Sequence, residues 1–98
     1  MTDVAQRLRR QARLTDAPAA AAALLEPLMS QAAGDDAAVV SVTFDYGEAT
    51  QPGAVVTVEA WVERATRTLV FVHGCISQDK EAQPLVTGSA IFRRLAGG

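Results

Sequence analysis

An alanine-rich apolar tract, Pro18 to Ala33, stands directly ahead of a long run, Val39 to Leu95, in which apolar and polar side chains alternate. No other feature narrows the fold as much. Alternation with a period of two places apolar residues on one face of a strand, whereas an alanine and leucine tract favours helix. A helix that precedes several strands must bury its apolar stripe against the sheet they form. The order therefore predicts an α+β domain, an antiparallel sheet over residues 38–95 wrapped around a central helix over residues 16–34.

The start of that helix is marked by Thr15-Asp16-Ala17-Pro18: an aspartate able to accept backbone N–H bonds, then a proline in the first turn. Leu24, Leu25, Leu28 and Met29 supply its bulk. Pro27 has no N–H to give and its ring opposes the carbonyl of Ala23, so a kink or break is expected at Glu26-Pro27. Gly34 ends the helix, and Gly34-Asp35-Asp36 turns into the sheet.

In the first strand of the run, Ala38, Val40, Val42, Phe44 and Tyr46 share a face. After the turn signal Gln51-Pro52-Gly53, Ala54, Val56, Val58, Ala60 and Val62 repeat the pattern. The third strand carries Val70, Val72, Gly74 and Ile76 on one side; the fourth carries Val86, Gly88, Ala90 and Phe92. Centring the last hairpin on the polar loop Gln78–Gln83 sets Gly74 opposite Gly88, a bare patch of backbone against which a helix or a slender ligand could press. Upstream, Val4, Leu8 and Ala12 recur every four residues, which predicts an N-terminal helical extension over residues 1–15; a short first strand is the competing reading.

Ninety-eight residues make one domain, 1–98. An apolar fraction of 49% against 20% charged residues is rich for so small a domain and favours subunits that share a core. A net charge of −2 argues against a nucleic-acid partner held through phosphates, and Arg7, Arg9, Arg10 and Arg13 read as a solvated helix face. Cys75 stands alone, so no intrachain disulfide forms. With no membrane-length apolar run and no signal-peptide core, a cytoplasmic protein is expected.

Glu26 is the sole acidic side chain between Asp16 and Asp35. Set in an apolar helix, it would be costly to bury unpaired; directed at a cleft, it could activate water or attack a carbonyl; turned outward, it is only a solvated charge. His73 lacks partners at metal-ligand spacing, and Cys75 lies about 7 Å from it along the strand. No metal or cofactor site can be built. Val55, Trp61, Leu69 and Phe71 fall on the face opposite the core, a patch that calls for cover by the first helix or by another subunit.

The strand–turn–strand stretch VVSVTFDYGEATQPGAVVTVEAWVER and the return segment RTLVFVHGCISQDKEAQPLVTGSAIFRRL resemble the hotdog fold of acyl-thioester enzymes, over about Asp16 to Leu95. The resemblance implies a sheet wrapped around the helix; the predicted N-terminal helix departs from it, standing in place of the family's first strand. It also implies a homodimer or homotetramer and a thioester hydrolase acting on an acyl-CoA or acyl-carrier substrate at the dimer interface. In the branch similar to phenylacetic-acid-pathway thioesterases, a helix carboxylate acts, and Glu26 matches it. Glu48 matches loop residues near the neighbouring subunit, and with Gly74 and Gly88 it makes up the implied substrate-binding set. The branch's His-Gly-Gly turn falls on Ala17, Pro18 and Ala19, and a proline cannot donate to a thioester oxygen. A catalytically inactive acyl-binding or assembly module is therefore the alternative function. A cone-shaped fold of the nuclear-transport-factor type is the alternative architecture.

Overall fold

The computed structural model describes residues 7–14, 20–47, 53–78 and 84–95. Its elements are β1 (Leu8–Arg13), α1 (Ala20–Ala33), β2 (Ala37–Tyr46), β3 (Val55–Ala65), β4 (Leu69–Ser77) and β5 (Val86–Arg94). The strands pair antiparallel in the order β1-β3-β4-β5-β2. One face of this sheet carries α1, which lies mainly over β3 and β4. The α+β hotdog arrangement expected from the sequence is the one observed.

Helical periodicity explains how α1 seats. Ala21, Leu25, Leu28 and Met29 recur every three or four residues, and all are buried against Val56, Val58 and Ala60 of β3 and Val72 and Ile76 of β4. Each large side chain buried in this way contributes about 1.5–3 kcal/mol. Gly74 and Gly88 are cross-strand partners, as the hairpin register requires. A Cβ on Gly74 would stand 2.7 Å from Leu25 Cδ1 and 2.9 Å from the Glu59 carbonyl oxygen. The bare backbone is what lets α1 lie this close. At its far end the helix stops at Gly34, whose φ of 109° suits only glycine and whose N–H donates to the Ser30 carbonyl at 3.2 Å.

Three details depart from the sequence pattern. Residues 8–13 form β1 rather than the helical extension over 1–15, and they pair with β3 from Leu8↔Ala60 to Arg13↔Val55. The first strand is thus kept, as in the competing reading. It satisfies an edge of β3 that would otherwise be left unpaired, and it sets Arg7 and Arg9 beside Glu59. Second, α1 does not break at Glu26-Pro27 but runs on through Pro27. Ala23 and Pro27 both lie on the exposed side, where water can serve the carbonyl that the proline leaves free. Third, β2 carries a bulge between Val39 and Ser41, so that Val39 rather than Val40 stands opposite Phe92. The expected helix start at Thr15 to Ala19 and the turn residues Gln51 and Pro52 lie outside the described residues.

The smallest dimension of the molecule, 18 Å, is that of a single helix on a single sheet. Among the described residues no second helix or sheet packs on the other face of this sheet. Among those residues no helix is long and apolar enough to cross a membrane.

Candidate active site

The outward side of α1 carries Ala23, Glu26, Pro27 and Ser30, all exposed. With Ala22 they line an open groove of about 470 Å³. Residues three and four apart are neighbours on a helix surface, so Ala22, Ala23 and Ser30 surround Glu26. The small alanines are what make the surface concave there. Glu26 is exposed in the isolated protomer, so no burial cost arises. The arrangement sets a carboxylate and a hydroxyl in a mainly apolar trough, able to take a proton from water beside an apolar chain.

The predicted site residues are not gathered in one place. Gly74 and Gly88 are buried beneath the opposite side of α1, where Leu25 and Met29 fill the space above them. Of the two occupants their pairing permits, the helix is the one present, and the thickness of α1 separates both glycines from the Glu26 groove. In this protomer they offer a ligand no open surface. Glu48 lies outside the described residues.

The other face of the sheet holds a second cluster. Glu59, with its side chain only 13% exposed, accepts from Arg9 at 2.7 Å and from Arg7 at 3.3 Å. Arg7 lies over the Trp61 ring, 4.0 Å from its centroid, and the Trp61 and His73 rings are 6.3 Å apart. Cys75 Sγ approaches Glu59 Oε1 at 3.8 Å. Partial burial, and then the Glu59 carboxylate, push the Cys75 thiol up from its ordinary value, against a smaller opposing pull from Arg7. Such a thiol is a poor nucleophile near neutrality, and His73, although on the same face of β4, is exposed. Among the described residues no group of three or more His, Cys, Asp or Glu could hold a metal ion. The arginines expected on a helix face sit instead on and beside β1.

Residues 17–93 match the family described as acyl-CoA thioesterase N-terminal domain. The chain belongs to the acyl-CoA thioesterase family. No curated protein matches it significantly. Similar solved structures include zebra fish thioesterase superfamily member 2 (14% identity, 96% of this chain and 78% of the other, TM-score 0.80). A mutant of the phenylacetic acid degradation protein PaaI from Thermus thermophilus is similar too (15% identity, 91% and 85% covered, TM-score 0.81). A third is smu.793 from Streptococcus mutans, bound to acetyl CoA (13% identity, 90% and 80% covered, TM-score 0.76). Identities this low speak to the fold.

The family match begins at Ala17 and so leaves out β1, the segment whose structure the sequence pattern misjudged. It spans the whole of α1 and with it Glu26. Ser30 went unremarked in the sequence, although its spacing of four from Glu26 was signal enough to place both on one side of a helix.

Proposed function

We propose that this chain hydrolyses an acyl-CoA or acyl-carrier thioester at a boundary between two copies, with Glu26 as the base that activates water. The observation that carries the reading is the position of Glu26: a lone carboxylate in an open, alanine-walled groove, on the helix where the thioesterase family places its acid. The acetyl CoA bound to the Streptococcus mutans neighbour supports a CoA thioester as the ligand class.

Self-association is supported by the contrast between the sheet's two edges. β1 carries three arginines, Arg9, Arg10 and Arg13, and charge is a common guard against edge pairing, whereas β2 is ten residues long and leaves Val39, Val40 and Tyr46 between 48% and 58% exposed. A second copy laid along β2 would cover these residues. The Trp61 face is a further surface on which dimers could stack into a tetramer.

The test is hydrolysis of short-chain, long-chain and aryl CoA thioesters by the purified protein beside Glu26→Ala. Loss of a general base should lower kcat by roughly 10²–10⁴-fold. Hydrolysis indifferent to Glu26→Ala removes the mechanism. The second reading is a silent acyl-binding or assembly module, favoured by Ala17-Pro18-Ala19 where the family's donor turn would lie. It predicts that CoA thioesters bind without turnover.

A further inference from the structure

Pro27 lies inside α1 and has no N–H, so the Ala23 carbonyl, four residues back, lacks its helical donor. Ala23 and Pro27 are exposed and line the same groove as Glu26 and Ser30. An alanine at position 27 would suit the helix far better than a proline. What the proline supplies is an acceptor: the groove wall then carries a bare carbonyl, a carboxylate and a hydroxyl.

Two acceptors side by side suit a water molecule. Positions 23 and 26 are neighbours on the helix surface, so a water on the Ala23 carbonyl lies within reach of the Glu26 side chain. A water that donates one hydrogen to the Ala23 carbonyl and the other to Glu26 turns its lone pairs outward, as a nucleophile requires. The Ser30 hydroxyl, one turn further on, can donate to the carboxylate and hold its orientation.

We infer that Pro27 is a positioning residue: by freeing the Ala23 carbonyl it provides the second acceptor that orients the hydrolytic water against Glu26. The inference rests on the hydrolase reading above. The water oxygen bonds to the thioester carbonyl carbon as its proton passes to Glu26. The C–S bond then breaks and the same proton goes to the departing thiolate. A carboxylic acid and a thiol result, and the Glu26 carboxylate is restored.

The test compares Pro27→Ala, Pro27→Val and Glu26→Gln with the unaltered chain, on whichever CoA thioester it hydrolyses. Both Pro27 variants restore an N–H at position 27, and alanine should also raise the melting temperature, so failure to fold is not a concern. The expected result is a fall in kcat of roughly 10- to 100-fold with KM unchanged, the size of a misplaced reactant. The new amide at position 27 should also be protected from hydrogen exchange. Wild-type kcat in Pro27→Ala alongside a disabled Glu26→Gln overturns this inference and leaves the hydrolase reading standing. An unprotected amide, or a change confined to KM, also overturns it. A loss in Pro27→Ala but not in Pro27→Val would assign the effect to the ring's shape and overturn it too. If the unaltered chain hydrolyses nothing, or Glu26→Gln is fully active, the hydrolase reading itself fails and takes this one with it.

Discussion

The two faces of the sheet are held in different ways. The inner face is shaped: Val56, Val58, Ala60, Val72 and Ile76 are at most 1% exposed, and the bare backbone of Gly74 and Gly88 receives Leu25 and Met29 of α1. The outer face is charged and aromatic, with Arg7 and Arg9 on Glu59 and Trp61 between Arg7 and His73. Van der Waals fit inside tolerates almost no change of volume. Ion pairs outside, with both arginines mostly in solvent, are worth about 0–1 kcal/mol each. Alterations of the inner face should therefore unfold the domain, whereas alterations of the outer face should change what it touches.

The sharpest way to break this contrast is Leu25→Ala. Leu25 is fully buried, and its truncation should cost about 2–5 kcal/mol in a denaturant titration; a loss below 1 kcal/mol would mean that α1 is not seated as described. Next is Gly74→Ala, expected to cost about 1–3 kcal/mol through overpacking, because one of its clashes is with backbone. Gly88→Ala should cost less, since its nearest neighbours, Leu25, Met29 and Phe44 at 3.1–3.2 Å, are all side-chain atoms that can yield. The reverse ranking would contradict the packing.

On the outer face, Trp61→Lys should lower stability by only about 1 kcal/mol, roughly the worth of its contact with Arg7 and some apolar area. It should shift the sedimentation profile towards smaller species, and an unchanged profile would remove that face as a contact between copies. The smallest effect is a pH dependence at Cys75. Its thiol is raised in the folded chain, so the folded state favours the protonated form. Stability should be complete below the ordinary thiol pKa of about 8.5 and decline as pH rises towards the higher folded value. Cys75→Ser should abolish that alkaline loss in thermal melts.

Much of the inner face is legible in the sequence, because burial imprints itself as period. Alternation placed Val56, Val58 and Ala60 together, and the polar loop after β4 set Gly74 opposite Gly88. The outer cluster was not legible. Arg7, Arg9 and Glu59 are joined only by the β1–β3 register, and no local pattern reports which strand lies beside which. The segment around Leu8 and Ala12 was misread for a related reason: a spacing of four fits both a helical turn and two steps of a strand. The candidate site was legible as a single residue, Glu26, while its groove depended on which side of α1 turned away from the sheet.

The sequence by itself determined the order of elements, the apolar face of β3, β4 and β5, the stop at Gly34 and the last hairpin's register, all of which follow from local periodicity and backbone chemistry. Only the tertiary structure decided that residues 8–13 pair as a strand, that β2 bulges at Val40, that α1 continues through Pro27, and that Glu26 lies outward while the glycines lie beneath. Those outcomes turn on long-range competition for hydrogen bonds and buried volume, which neighbours in sequence do not encode.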